Sequence, residues 1–135
     1  GPGDPAVLEH AVELIQDLIG KLPLLGICLG HQLLCLGLGA TTSKMKFGHH
    51  GVNQPVRDEK TGHVFVTSQN HGFIVDTATL PAGTEMWLVN ANDNSLEGII
   101  DKENRVMSTQ FHPEAAPGPH DSSWIFDSFL QFVKA

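Results

Sequence analysis

Basic residues are scarce in this chain, and so is cysteine. The 135 residues hold eight Lys and Arg against 15 Asp and Glu, for a formal net charge of −7, and the basic residues form no cluster. A polyanionic partner is thereby disfavoured, because neither a nucleic-acid backbone nor an anionic membrane surface finds the basic patch it needs. Only two cysteines occur, Cys28 and Cys35, close together on one segment. They do not resemble the spaced framework of a disulfide-stapled secreted domain. No apolar run approaches the roughly 20 residues that span a bilayer, and no signal peptide opens the sequence. The expected compartment is a reducing cytoplasm. Also missing is a Gly-rich loop ending in Lys-Ser/Thr that would cradle nucleotide phosphates, so no nucleotide cofactor is expected in this chain.

What remains has the composition of a globular protein, 41% hydrophobic and 17% charged, with the length of one domain. Gly1-Pro2-Gly3-Asp4-Pro5 reads as a loop with no element before it, as expected of a cut through a larger domain. Asp4 and Pro5 give an N-cap and first-turn signal. Val7, Leu8, Val12, Ile15, Leu18 and Ile19 then recur at helical spacing, and Gly20 closes the segment. Leu22-Pro23-Leu24-Leu25-Gly26-Ile27 reads as a buried strand, followed by a helix through Gln32-Leu33-Leu34-Cys35-Leu36 that ends around Gly37-Leu38-Gly39. Helix, strand, helix in this order predicts an α/β protein with a mostly parallel sheet flanked by helices.

The middle of the chain changes character. Strand-like runs cover residues 41–46, 52–56, 63–68, 86–90, 96–101 and 105–110. They are separated by Gly48, Gly51, Gly62, Pro81-Ala82-Gly83 and Asn92-Asp93-Asn94, which predicts an antiparallel or mixed extension of the sheet. A last helix is expected after a cap at Asp121 or Ser122, with Ile125, Phe126, Phe129, Phe132 and Val133 as its apolar stripe.

Chemistry concentrates at Gly26-Ile27-Cys28-Leu29-Gly30-His31-Gln32. A cysteine sits between two glycines where a strand gives way to a helix, the pattern of a nucleophile elbow. Glycines on either side let backbone pass close in a sharp turn. The helix N-terminus that follows favours thiolate over thiol. By itself the motif also fits a small buried cysteine that only packs.

A cysteine nucleophile needs a base and an orienter. Among eight histidines, His112 stands out, because Gln110-Phe111-His112-Pro113-Glu114 puts histidine and glutamate two apart at the end of a strand-like run. In extended chain that spacing places both side chains on the same side. The alternative is a solvated His-Pro turn with a surface glutamate. His31 is expected to play a structural part, since its position on the helix points away from the elbow. His49-His50 has no further ligands at zinc-like spacing, so a partly exposed loop is expected there and no metal. Cys35, Trp87 and Trp124 read as packing residues. His71 and His120 receive no chemical step.

Taken together, the elbow and Phe111-His112-Pro113-Glu114 resemble the class I, triad-type glutamine amidotransferases, which have a flavodoxin-like fold. The branch most similar is the glutaminase subunit or domain of carbamoyl-phosphate synthetase. Gly1-Pro2-Gly3-Asp4-Pro5, Lys44-Met45-Lys46-Phe47-Gly48-His49-His50-Gly51, Ser68-Gln69-Asn70-His71-Gly72-Phe73 and Pro117-Gly118-Pro119-His120-Asp121 extend the resemblance over essentially the whole chain. The resemblance implies a catalytic triad of Cys28, His112 and Glu114, with glutamine bound by Gly1, Gly3, Leu29, Gln32, Asn70, Gly72 and Phe73. It implies ammonia passed to a large synthetase partner that alone uses ATP and Mg. It also implies one amidotransferase domain over residues 1–135, lacking its first strands and an upstream small-subunit domain. The competing expectations are an amidotransferase of anthranilate, GMP or CTP synthesis, a free-standing cysteine hydrolase of γ-glutamyl compounds, and a non-catalytic module acting in binding or assembly.

Overall fold

The computed structural model describes residues 8–112 and 124–134. Helix α1 spans Glu9–Leu18 and leads through Gly20, at φ +86°, to strand β1, Leu24–Ile27. Helix α2, Leu29–Leu38, follows at once and is closed by Gly39 in the left-handed conformation. Its N–H reaches the carbonyls of Cys35 and Leu36, the usual way of satisfying a helix's last carbonyls. Strands β2 (Thr42–Asp58), β3 (Val64–Val75), β4 (Glu85–Asn90), β5 (Leu96–Asp101) and β6 (Val106–Thr109) come next, and helix α3 (Trp124–Lys134) ends the described chain.

Among the described residues the strands form one mixed six-stranded sheet in the order β1-β6-β5-β4-β2-β3. The parallel part is the β1–β6 pair, with Leu24 opposite Val106 and Ile27 opposite Thr109. The neighbouring pairs β5–β6, β4–β5, β2–β4 and β2–β3 are antiparallel. The α/β class and the antiparallel extension are as expected, but among the described residues only one of the five strand pairs is parallel, where a mostly parallel sheet is the expectation.

Three boundaries differ from expectation, the first being that the run 63–68 extends as β3 to Val75. The runs 41–46 and 52–56 belong to one 17-residue strand, β2, rather than two. Gly48 and Gly51 do not break it. The ladder with β3 instead shifts register between Lys44 and His49 and again between Gly51 and Gln54, as β-bulges do. Helix α1 begins at Glu9 with Leu8 as its N-cap, later than Asp4 and Pro5 suggest. Those two residues, like the cap at Asp121 or Ser122, lie outside the described residues.

Alternate side chains of the central strands feed two cores. Ile100 and Met107 join Val56, Phe65, Trp87, Leu88, Phe111 and Ile125 on one face, with Phe129 and Phe132 of α3 packed against them. Ile99 and Val106 join Leu34, Cys35, Ala40, Val75 and Leu96 on the other, with Ile15 of α1 against them. All six residues of β5 and all four of β6 are buried, so these strands form the buried middle of the sheet.

Candidate active site

Cys28 sits between β1 and α2 at φ 57°, ψ −110°. A non-glycine residue rarely adopts a positive φ, and holding one there costs on the order of 1–3 kcal/mol. The surroundings explain why it persists. The Cys28 N–H donates to the Thr109 carbonyl oxygen at 2.9 Å, and the Cys28 carbonyl accepts from the Gln32 N–H. Gly26 is obligatory: a Cβ there would lie 2.5 Å from Leu34 Cδ1 and 2.6 Å from the Gly30 carbonyl oxygen. Gly30 itself is under no such pressure, since a Cβ there meets nothing within 4 Å. Leu29 opens α2, so its N–H has no intrahelical partner and is available to an incoming anion.

The parallel β1–β6 pair explains how Cys28 and His112 come to one edge of the sheet. Ile27 and Thr109 are register partners at the carboxyl ends of adjacent strands. Cys28 is the next residue after β1, and His112 lies three beyond β6. Carboxyl ends of parallel strands are the usual location of sites in open α/β sheets. The His112 N–H also reaches the Ser68 carbonyl oxygen of β3, at 3.5 Å. His112 is half-buried. Glu114, Gly1 and Gly3 lie outside the described residues.

Sequence reading missed a web of buried amides beneath Cys28. Gln32 Nε2 donates to the Phe73 carbonyl at 2.8 Å and to Gln110 Oε1 at 2.9 Å. Gln110 Nε2 lies 4.0 Å from Cys28 Sγ. His71 Nδ1 lies 2.9 Å from the same Phe73 carbonyl oxygen, and its Nε2 lies 2.8 Å from Gln69 Oε1. Gln69 Nε2 in turn donates to Thr67 Oγ1 and to the buried carboxylate of Glu97. Of the residues expected at the glutamine, Gln32 and Phe73 are joined directly through this web. Asn70 and Gly72 stand beside it on β3, with Asn70 exposed. The one sequence signal for the web is polar residues where an inward-facing strand position calls for apolar ones, as at Gln69 and Glu97.

His31 and Cys35 lie deeper. His31 Nδ1 is 2.6 Å from Ser108 Oγ, while its Nε2 is buried with no hydrogen-bond partner among the described residues. Burial, and secondarily the charge of His71, lower the His31 pKa to about 3, so the ring is neutral. Cys35 is fully buried, and burial pushes its thiol up to about 12. It packs in the α2 core, as expected. Among the described residues no helix is long and apolar enough to cross a membrane.

A cysteine on a strained strand-to-helix elbow, with a histidine past the neighbouring parallel strand, places the chain among α/β proteins with a cysteine at the carboxyl end of the sheet. The chain belongs to the glutamine amidotransferase class-I family, which it matches over residues 1–132. More particularly, it is 52% identical over 134 residues to the carbamoyl phosphate synthase small chain of Archaeoglobus fulgidus, covering 99% of this chain and 37% of that protein. It is 54% identical over 134 residues to the chloroplastic small chain of Arabidopsis thaliana, covering 99% of this chain and 31% of that one. The chain thus spans about a third of the length of these relatives. Its fold is also that of a glutamine amidotransferase from Thermotoga maritima, at a TM-score of 0.66 and 23% identity over 96% of this chain and 56% of the other.

Proposed function

We propose that this chain carries the glutaminase chemistry of a carbamoyl-phosphate synthase small chain. The observation that carries the reading is the strained Cys28 elbow, tied by its N–H to Thr109 at the end of the strand that leads to His112. Cys28 Sγ attacks the side-chain carbonyl carbon of glutamine. The tetrahedral oxyanion is met by the Leu29 N–H and by one from the Gly1–Gly3 loop, and such donors act where negative charge develops. His112 gives a proton to the departing ammonia, leaving a γ-glutamyl thioester, and then takes one from the water that hydrolyses it to glutamate. Glu114 orients His112. Gly1, Gly3, Gln32, Asn70, Gly72 and Phe73 bind the amino-acid end of glutamine. With both Gln32 amide protons already donated, its oxygen is the atom left to accept from the substrate ammonium.

The ammonia passes to a large synthetase subunit or domain, which combines it with bicarbonate and ATP to make carbamoyl phosphate for pyrimidine and arginine synthesis. In this reading ATP and Mg are used by the partner. The proposed compartment is a reducing cytoplasm, where the Cys28 thiol persists.

The test is ammonia release from glutamine, with and without the large subunit, beside Cys28→Ala. Loss of release in the variant, and stimulation of the parent by the subunit, are expected. Release that survives Cys28→Ala refutes the nucleophile.

A further inference from the structure

The geometry points to Gln110 as a catalytic residue, its carboxamide N–H being the side-chain donor to the Cys28 sulfur whenever that sulfur carries charge. The inference rests on the reading of Cys28 as nucleophile. Its first support is proximity, because Gln110 Nε2 is 4.0 Å from Cys28 Sγ. Among the described residues no other side chain hydrogen-bonds that sulfur.

The second support is polarity. The two ends of a carboxamide look alike, and only the hydrogen-bond network assigns them. Here the assignment starts from a group that cannot be reversed. The Phe73 backbone carbonyl only accepts, so the Gln32 atom 2.8 Å away is its Nε2. That same nitrogen lies 2.9 Å from Gln110 and requires an acceptor there, so Gln110 turns Oε1 to Gln32. Nε2 is left facing Cys28. Reversing Gln110 would set two amide nitrogens against each other.

The third support is burial. Gln110 is 1% exposed and Cys28 6%. The Gln110 backbone N–H is held by the Glu97 carbonyl at 2.7 Å. Little water competes for the sulfur, and the donor needs no reorganisation to face it.

The sulfur is anionic twice in a turnover: as the attacking thiolate, and as the leaving group when the thioester collapses. In that collapse water adds to the thioester carbonyl with its proton passing to His112, the C–S bond breaks, its electron pair goes to sulfur, and glutamate departs. A fixed N–H aimed at Sγ stabilises both states. It loses most of its hold on the neutral thioester sulfur between them.

Gln110→Met keeps the side-chain length and removes the donor. In the folded variant, alkylation of Cys28 by iodoacetamide at neutral pH is expected to slow about tenfold, the effect of one hydrogen bond to a charged group. A second measurement needs no variant at Gln110. In the unsubstituted protein, one Gln110 carboxamide proton should move in NMR spectra together with the ultraviolet signal of the Cys28 thiolate as pH rises, and should stay still in Cys28→Ser. Cys35, with its thiol pushed up to about 12, contributes nothing to that signal at neutral pH. A folded Gln110→Met that is alkylated at the unsubstituted rate, or a Gln110 proton that ignores the thiolate, overturns the assignment. Neither readout requires glutamine turnover. A protein that releases no ammonia yet passes both tests refutes the glutaminase reading and leaves the Gln110 contact standing.

Discussion

Cys28 donates its backbone N–H to Thr109 at 2.9 Å, one position past the last register pair of the parallel β1–β6 ladder. The ladder thus continues into the elbow, and the backbone of β6 holds Cys28 in a conformation that its own φ and ψ disfavour.

Strain at that position is measurable. Cys28→Ala and Cys28→Gly both remove the sulfur, and only glycine tolerates φ 57° without cost. Cys28→Gly is expected to exceed Cys28→Ala in stability by about 1 kcal/mol, read from urea unfolding. Equal stabilities, or an advantage for alanine, would show that the elbow is relaxed.

The two glycines flanking Cys28 should respond oppositely. A Cβ at Gly26 meets the Gly30 backbone at 2.6–2.7 Å, and backbone cannot step aside, so Gly26→Ala should destabilise by roughly 1–3 kcal/mol. Gly30 lies in α2 with open space around it. Gly30→Ala should therefore stabilise by about 0.5–1 kcal/mol. Thermal melts of the two variants decide it, and a loss of stability in Gly30→Ala counts against this account.

That contrast shows what a sequence makes legible. Gly26 and Cys28 were readable because the elbow is local: a short stretch contains both the steric demand and the residue that meets it. The spacing of His112 to Glu114 is likewise a local pattern, with Glu114 outside the described residues. The amide web was not, since Gln32 meets Gln110 across 78 positions and Gln69 meets Glu97 across 28. A polar residue inside a strand-like run, such as Glu97 in β5, does not by itself name the distant partner that satisfies it. The continuity of β2 was hidden for another reason. Gly48 and Gly51 carry the same signal in a bulged strand as in a turn, and only the partner strand β3 distinguishes the two.

The two cysteines should separate cleanly in labelling. A glutamine-analogue electrophile is expected to modify Cys28 and spare Cys35, which is fully buried with its thiol pushed up to about 12. Peptide mass mapping reports the sites. Modification of Cys35 in the folded protein, with Cys28 untouched, would reverse the roles.

His31 should make the fold sensitive to acid. Its native pKa is lowered to about 3 from 6.5, so the unfolded chain takes up a proton that the native state refuses. The His31 contribution is complete above pH 6.5 and declines as pH falls towards 3, by at most about 1.4 kcal/mol per unit. His31→Gln, weaker at pH 7, should lose less stability than the parent between pH 7 and pH 5. Urea titrations that fall in parallel for both proteins would argue that His31 is charged when folded.

The run of carboxamides from the Phe73 carbonyl through Gln32 to Gln110 has a consequence for how the site meets its surroundings. Neither side chain gains or loses a proton in water, and the run's direction is inherited from a peptide group rather than from a charge. Changes in acidity or salt leave the charge of this part of the frame as it was. The direction in which Gln110 faces the sulfur is thus written into the course of the main chain.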